Sequence, residues 1–349
     1  MEKRHSRTVM VGGVPVGGGH PVTVQSMLNA PAADTEGNVR QAVRLEQAGC
    51  EILRVAVPTR QSVALIPALK QAVRIPIVAD IHFDHRIALD CVAAGADKIR
   101  INPGNIGEEQ RIRQVAVACR DKRIPIRIGV NAGSLEKDVL RKYGAPCPQA
   151  LRDSALFHAA LLEKYDFTDI VLSMKSSRVD TMVQAYRLTA QACDYPLHLG
   201  VTEAGSERMG LIKSAAGIGA LLLDGIGDTI RVSLTADTVR EVEAGADILR
   251  AVGLRHDRVN VISCPTCGRT AIPLLDMVSQ VEQRVAGIRK PLTVAVMGCA
   301  VNGPGEAAQA DLGIAGGAGK AVLFRHGEVL RTVAQEDAVD ELMKELEKL

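Results

Sequence analysis

Three cysteines and one glutamate near the C-terminus are the residues best suited to chemistry. Cys264 and Cys267 form a Cys-x-x-Cys turn, Cys299 follows after 31 intervening residues, and Glu306 stands seven residues further on. The turn brings two sulfurs toward one point, and the glycines of segment 298–306 let backbone approach a bulky inorganic group. This set favours an iron-sulfur cluster bound by three thiolates and one carboxylate.

Other interpretations of these thiols stay open. A Cys3His ligand set is typical of structural zinc, and His256, eight residues before Cys264, could supply the histidine. The second Cys-x-x-Cys of a zinc ribbon, however, is absent. A redox dithiol would leave Cys299 unexplained. Buried structural thiols are the third alternative. The other five cysteines lack ligand spacing: Cys50, Cys91, Cys119, Cys147 and Cys193.

A carboxylate as fourth ligand has a chemical consequence. Oxygen binds a cluster iron less tightly than thiolate does, so that iron could exchange its ligand for a substrate oxygen. An electron carrier gains nothing from such an exchange, whereas a catalyst does. We therefore expect Glu306 to be a displaceable ligand and a candidate proton donor.

Eight β-branched runs alternate with helical patterns through about the first 250 residues, the usual size of a (β/α)8 barrel. Alternating strands and helices predict a parallel sheet in an α/β fold, and we favour a closed TIM-type barrel over a doubly wound open sheet. The runs are 22–27, 52–57, 75–82, 98–102, 126–131, 169–175, 197–203 and 229–234. The helical patterns are 39–48, 62–73, 86–94, 108–120, 151–164, 182–192 and 239–252.

Strand after strand ends in a polar residue, where a barrel builds its active site. The cations of this ring are Arg54, Arg100, Arg127, Lys175 and Arg231. Arginine pairs bidentately with phosphate, so the ring predicts a di- or polyphosphate ligand. Glu203 at the same rim is a candidate acid or base, and His82 with its flanking aspartates is a weaker candidate for metal binding.

The pattern changes near residue 254, which divides the chain into a barrel (1–254) and a small α+β domain (255–349). In the second domain we expect strands at 259–262, 292–297, 312–315 and 321–324, and helices at 274–285 and 337–349. Segment 316–321 is not a P-loop, because Ile314 and Ala321 replace the required glycine and hydroxyl residue. It predicts a turn between strands.

Composition excludes several classes of protein. The net charge is +2, tryptophan is absent, and phenylalanine and tyrosine number four each, which argues against nucleic-acid binding. No apolar run reaches the roughly 18 residues of a membrane span, and the N-terminus does not read as a signal peptide. We expect a cytoplasmic protein with reduced thiols.

Six longer motifs resemble those of the bacterial 4-hydroxy-3-methylbut-2-enyl diphosphate synthases. They cover 78–84, 100–107, 124–134, 197–205, 263–269 and 301–306. The resemblance runs from about Arg7 to the last helix. A local departure is Ser176-Ser177-Arg178, where related sequences usually read Ala-Ser-Asp.

This resemblance implies reductive ring opening of 2-C-methyl-D-erythritol 2,4-cyclodiphosphate to 4-hydroxy-3-methylbut-2-enyl diphosphate, in the methylerythritol phosphate route to isoprenoids. It implies a 4Fe-4S cluster, electrons from flavodoxin or ferredoxin, and a homodimer in which one subunit's cluster domain closes over the partner's barrel mouth. The cluster ligands would be Cys264, Cys267, Cys299 and Glu306, and the substrate-binding residues Arg54, Arg100, Arg127, Asn131, Lys175 and Ser263.

The residues alone also allow a second function. A non-redox barrel enzyme could act on a phosphorylated or pterin-like substrate, with structural zinc in the second domain. Iron content separates the two hypotheses, because only the first requires a cluster.

Overall fold

A computed structural model describes residues 2–82, 84–102, 109–317 and 319–349. The chain divides into two compact units, Met1–Leu254 and Arg255–Leu349. Each has its own hydrophobic core, and each is described separately below. No helix among the described residues combines the length and apolar character that crossing a membrane requires.

The first unit is the predicted barrel. Its strands are β3 (Thr23–Met27), β4 (Ile52–Ala56), β5 (Ile77–Ile81), β6 (Lys98–Ile101), β7 (Ile126–Asn131), β8 (Ile170–Lys175), β9 (His198–Leu199) and β10 (Thr229–Ile230). Neighbours along the chain pair in parallel from β3 to β8, and β10 pairs with both β3 and β9. A parallel bridge between Leu172 and Leu197 joins β8 to the start of β9. The expected (β/α)8 architecture is confirmed.

Helices follow the strands and cover the outside of the barrel. They are α1 (Thr35–Gln47), α2 (Leu65–Ala72), α3 (His85–Ala93), α4 (Glu109–Lys122), α5 (Lys137–Tyr143), α6 (Pro148–Glu163), α7 (Val179–Ala192), α8 (Glu207–Leu223) and α9 (Thr238–Ala251). Glycines after helix ends have positive φ, for example 96° at Gly49 and 90° at Gly95, as is typical of residues that end a helix. The outward strand residues and the inner helix faces form one large aliphatic core.

Helix α8 was missed because its residues are almost uniformly apolar and show no helical period. Its buried face is built largely from small residues, including Gly210, Ser214 and Gly217. A carbon added at Gly217 would lie 2.8 Å from the Met182 side chain, so this glycine permits close packing on α7. Because glycines and apolar residues occur on both faces of this helix, the sequence shows no separation into an apolar face and a polar face.

A hairpin that the sequence did not reveal closes the N-terminal end of the barrel. Strands β1 (Thr8–Val11) and β2 (Val14–Gly17) pair antiparallel. Val11 and Val16 pack on Ile52 and Val78, which belong to β4 and β5. Four-residue strands are too short to give a clear alternation. The hairpin supplies an apolar floor for the barrel.

The second unit is a five-stranded mixed sheet with helices, the α+β class expected. Its strands are β11 (Asn260–Ser263), β12 (Thr293–Met297), β13 (Leu312–Gly317), β14 (Lys320–Arg325) and β15 (Glu328–Ala334), and its helices are α10 (Leu274–Val285), α11 (Gly303–Glu306) and α12 (Ala338–Leu346). Strands β11 to β13 are parallel and β13 to β15 antiparallel. The edge strand β15 was missed because most of its residues are exposed.

The predicted turn in the glycine-rich segment before Lys320 is confirmed. Gly317 of β13 stands opposite Lys320 of β14 in the antiparallel register, so the chain reverses between them. Position 318 lies outside the described residues. A phosphate-binding P-loop connects a strand to a helix, whereas this segment connects two strands.

The hairpin floor gives a stability prediction. Val16→Ala removes two methyl groups from a fully buried site, so the free energy of unfolding should fall by about 1–2 kcal/mol. Met10→Ala, at a position that is 48% exposed, is the control and should change it by less than about 0.5 kcal/mol. Urea denaturation measures both. Equal effects would mean that the hairpin is not part of the barrel core.

Candidate active site

The C-terminal end of the barrel contains a cavity of about 330 Å³ lined almost wholly by polar and charged side chains. Strand alternation explains this, because residues two apart on a strand face the same side. The lining residues are Arg54, His82, Arg100, Asn102, Arg127, Gly129, Asn131, Ser134, Ser173, Lys175, Thr202, Arg231 and Ser233. The five predicted cations and Asn131 therefore meet in one cavity, which we call the mouth.

One carboxylate organises the arginines of the mouth. Arg54 Nη2 donates to Asp80 Oδ2 at 2.6 Å, and Arg100 Nη1 donates to Asp80 Oδ1 at 3.0 Å. Burial alone would raise the pKa of Asp80, but the two guanidinium groups outweigh it and hold that pKa well below its usual range. Asp80 is thus a permanent anion that fixes the side chains of Arg54 and Arg100.

Two glycines make room for the cations. A carbon added at Gly129 would lie 2.6 Å from Arg100 Nε, and one added at Gly200 would lie 3.2 Å from Lys175 Nζ and 2.8 Å from the Arg231 carbonyl oxygen. Neither glycine has a positive φ, so steric space explains them and backbone freedom does not. Both strands carry glycine where a side chain would fill the mouth.

The remaining cations are buried without enough negative charge to balance them. Arg127 is only 1% exposed, and its Nε and Nη1 have no hydrogen-bond partner. Burial lowers the pKa of Lys175 well below its ordinary value, and Arg231 and Arg127 lower it further. Arg231 Nη2 lies 3.4 Å from Glu241 Oε2 and so has a partial counter-charge. This excess of buried cations is what a polyanionic ligand would neutralise.

Glu203 lies beside the mouth, in an adjoining groove of about 570 Å³. The groove shares Asn131, Ser134 and Thr202 with the mouth. Glu203 has a φ of 52°, the left-handed region that a glutamate rarely adopts. Backbone strain of this kind concentrates at functional sites.

His82 does not form a metal site with its neighbouring aspartate. Its Nε2 lies 3.6 Å from Asp80 Oδ2, but both oxygens of Asp80 already accept from arginines. Phe83, between His82 and Asp84, lies outside the described residues. His82 instead forms part of the wall of the mouth.

In the second unit the thiols follow the ends of adjacent parallel strands. Ser263 ends β11 and pairs in register with Val296 of β12, so Cys264 and Cys299 come after neighbouring strands. The Gly298 N–H donates to Cys264 Sγ at 3.1 Å, and the Ala271 N–H donates to the Gly298 oxygen. These bonds tie the two cysteine-bearing loops together.

The thiols are accessible and chemically prepared for ligation. Cys267 is exposed, and Cys264 and Cys299 are half-buried. A backbone hydrogen bond from Arg269 is the main reason that the pKa of Cys267 is lowered, which favours the thiolate that binds metals. A backbone N–H donated to cysteine sulfur is the kind of contact that tunes iron-sulfur clusters. The donor set therefore fits a cluster.

Among the described residues, no three His, Cys, Asp or Glu side chains converge closely enough to hold a single metal ion. Structural zinc needs four donors around one point. A cubane cluster is larger and takes each ligand on a different iron, so it needs donors spread around a wider space.

Glu306 is exposed at the end of the four-residue helix α11. It lines a depression of about 620 Å³ with Asn260, Ile262 and Thr293, and the three cysteines are not part of this lining. A carbon added at Gly303 would lie 2.8 Å from Met297 Cβ. The glycine thus serves the packing of α11 on β12, and space for an inorganic group does not explain it.

Sequence reasoning found most of the cations but missed the groups that hold them. Asp80 was interpreted as a polar strand end and as a weak candidate metal ligand with His82, and the space left at Gly129 and Gly200 was not foreseen. Arg231 belonged to the predicted ring but not to the chosen binding set, although it lines the mouth. Inward parity on each strand is the signal that would have found all of them.

The buried ion triad can be tested by stability. Asp80→Asn leaves two buried arginines without a counter-charge, so the free energy of unfolding should fall by about 3 kcal/mol or more. Asp90→Asn is the matched control, since Asp90 pairs with Arg60 at the surface and should change stability by under about 1 kcal/mol. Denaturant titration of both variants compares them. Similar small losses would contradict the organising role of Asp80.

Solved structures confirm the barrel architecture. Dihydropteroate synthase from Stenotrophomonas maltophilia matches 71% of this chain and 98% of its own with a TM-score of 0.53 at 17% identity. The Yersinia pestis enzyme of that name gives 0.52 at 16% identity, over 71% of this chain and 98% of its own. At such low identity the likeness concerns the fold alone.

Family models and relatives cover both units. The GcpE TIM-barrel domain matches residues 6–246, and the GcpE protein C-terminal domain matches 260–348. A relative from Caldanaerobacter subterraneus is 54% identical over 99% of this chain and 98% of its own, and one from Clostridium perfringens is 52% identical over the full length of both. Both are named 4-hydroxy-3-methylbut-2-en-1-yl diphosphate synthase (flavodoxin). The chain belongs to the GcpE family, the family of these synthases.

Proposed function

We propose that this protein opens and reduces 2-C-methyl-D-erythritol 2,4-cyclodiphosphate to 4-hydroxy-3-methylbut-2-enyl diphosphate, a step toward isoprenoids. The observation that carries the proposal is the mouth, where five cations surround a cavity sized for a small polyanion. The names of the full-length relatives support it. We assign the protein to the cytoplasm, where its thiols stay reduced.

The reaction balances as the cyclodiphosphate plus two electrons and two protons, giving the hydroxymethylbutenyl diphosphate and water. The bond from carbon to the bridging phosphate oxygen breaks, and a hydroxyl leaves as water. A 4Fe-4S cluster on Cys264, Cys267, Cys299 and Glu306 would supply one-electron reduction and Lewis acidity. No other group in the chain has such redox capacity.

The mouth holds the diphosphate and stabilises its developing charge. Arg54 and Arg100, fixed by Asp80, present guanidinium N–H groups to phosphate oxygens, and Arg127 offers donors that have no protein partner. Charge that is already in place costs no reorganisation when the leaving diphosphate oxygen becomes negative. Asn131 and Lys175 line the same cavity. Ser263 we assign to contact with substrate beside the cluster.

Two carboxylates are the candidate proton-transfer groups. Glu203 stands at the groove next to the mouth and in a strained backbone conformation. Glu306 becomes a free acid if it leaves its iron during the reaction. Each would act on an oxygen that departs as water or diphosphate.

The proposed electron donor is flavodoxin or ferredoxin, and the name of the relatives specifies flavodoxin. We further propose a homodimer in which the second unit of one copy serves the barrel of the other. Exposed apolar residues on α8, Met209 and Ile212, offer surface for association.

Replacing Glu306 tests the cluster assignment. Glu306→Gln should retain iron on its three thiols but lose turnover by at least about 100-fold, because an amide neither binds iron as a carboxylate does nor donates a proton. Iron analysis, Mössbauer spectra and turnover with a chemical reductant measure this under anaerobic conditions.

Glu328→Gln is the control, since Glu328 is exposed on the edge strand β15. It should keep both iron and activity. Full activity in the Glu306 variant would remove its proposed role, and zinc in place of iron would support the non-redox alternative.

A mixing experiment tests whether the two units work across copies. Cys267→Ser disables the cluster and Arg127→Met disables the mouth, so each variant alone should be inactive. Co-refolded or co-expressed together, they should recover about a quarter of wild-type activity, because half the dimers then carry one intact pair of units. No recovery in verified heterodimers would mean that each chain serves its own barrel.

A further inference from the structure

The barrel interior below the mouth contains charged and polar groups that binding of the substrate does not use. Lys98 and His198 are both fully buried, on β6 and β9. Lys98 Nζ and both ring nitrogens of His198 have no hydrogen-bond partner. Three neutral residues share this isolation: Thr23 Oγ1, Gln25 Oε1 and Nε2, and Thr229 Oγ1. We call these five residues the lower tier.

Strand parity sets the lower tier beneath the mouth. Lys98 lies two residues before Arg100 and His198 two before Gly200, so each faces inward about 6.6 Å nearer the N-terminal end. Thr229 is in register with both Thr23 and His198. The apolar hairpin floor of Val11 and Val16 closes the barrel from below. The lower tier therefore lies in the part of the barrel interior between the mouth and the hairpin floor, which we call the compartment.

Most charges that act on this compartment are positive. The cations are inward-facing side chains of the surrounding strands: Arg54, Arg100, Arg127, Lys175 and Arg231. The negative charges nearby are the carboxylates of Asp80 and of Glu241 on α9. Asp80 is committed to Arg54 and Arg100, and Glu241 to Arg231. Neither Lys98 nor His198 has an ion-pair partner among the described residues.

These surroundings disfavour further positive charge. Burial lowers the pKa of Lys98 well below its ordinary value, and Arg127 and Arg54 lower it more. Burial also lowers the pKa of His198, with Arg127, Lys175 and Lys98 acting in the same direction. The arginines keep their protons because guanidinium is too strong a base to lose them. A fully buried amine and imidazole that have neither a hydrogen-bond partner nor a counter-ion favour their neutral forms, so we expect Lys98 and His198 to be uncharged in the empty barrel.

We infer that Lys98 and His198 take up protons from solvent when the polyanionic substrate fills the mouth, and so supply part of the positive charge that binds it. The free amine of Lys98 becomes an ammonium and the imidazole of His198 an imidazolium. Two phosphate charges above the compartment attract positive charge and so offset part of the cost of burying a protonated amine and imidazole there. The inference rests on the proposed function for the identity of the anion.

Such uptake suits the reaction, which consumes protons together with electrons. The protons gained on binding stay beneath the substrate, out of contact with bulk solvent. Ring opening also creates a diphosphate with more negative charge than the cyclic ester, and a charged lower tier stabilises that product. Lys98 and His198 act here through the field in the mouth and are positioning residues.

Calorimetry measures the uptake directly. The oxidised holoprotein, without electron donor, is titrated with the cyclodiphosphate near pH 8 in buffers of different ionisation enthalpy. Each phosphorus of this ligand carries a single strongly acidic hydroxyl, so the ligand itself does not titrate near neutrality. The dependence of the binding heat on the buffer gives the number of protons taken up, and we expect a positive number for the wild type.

Lys98→Met should reduce the uptake by up to about one proton per site. The methionine is similar in length, and replacing a buried amine that has no hydrogen-bond partner by an apolar group does not threaten folding. His198→Gln, measured in parallel, tests the second group. Lys122→Met is the matched control, since Lys122 is an exposed lysine at the end of α4, and it should leave the uptake unchanged.

The pH dependence has a definite sign. Groups that gain protons on binding make affinity highest at low pH, and affinity falls as pH rises through their pKa in the complex. Lys98→Met should flatten this slope.

Binding heat that is independent of buffer, or equal uptake in the Lys98 and Lys122 variants, would overturn the inference and leave the proposed function intact. Absence of any binding would overturn the proposed function, and this inference with it.

Discussion

The ion triad of Asp80 with Arg54 and Arg100 is the interaction on which the barrel interior depends. Several cations are enclosed in one small compartment, and their mutual repulsion would be prohibitive without a fixed anion. Asp80 supplies it and sets the direction of both guanidinium groups. Arg231 pairs with Glu241, whereas Lys98 Nζ and two nitrogens of Arg127 have no hydrogen-bond partner. Binding of an anion in the mouth would therefore stabilise the folded protein, because it reduces the repulsion among these cations.

This constraint explains where the hydrophobic core lies. The interior of a (β/α)8 barrel is usually filled by branched aliphatic side chains. Here most of the aliphatic core lies outside the strands, between sheet and helices, and an apolar cluster inside the barrel forms the hairpin floor. The polar interior is possible because the large outer core carries the cohesion of the unit. The loops at the mouth can then be devoted to the ligand.

The two units divide the chemistry by the kind of group each can hold rigidly. Strand ends in the barrel hold the cationic side chains of the mouth, and the loops after strand ends in the small sheet hold thiols and are tied together by backbone hydrogen bonds. Parallel strands serve both purposes because their carboxyl ends meet at one edge. The family assignment joins these halves in a single reaction.

The sequence by itself determined the barrel, the second unit and most of the cations, because β-branched runs, helix-ending glycines and strand-end arginines are local signals. It also identified the three thiols and Glu306 from spacing. Only the tertiary structure decided that Asp80 holds two arginines, that Gly129 leaves room for Arg100, and that Lys98 and His198 share one compartment. The hairpin floor and α8 could not be predicted from the sequence either. These features arise from strands far apart in sequence facing one axis, and no local pattern records which inward residues meet there.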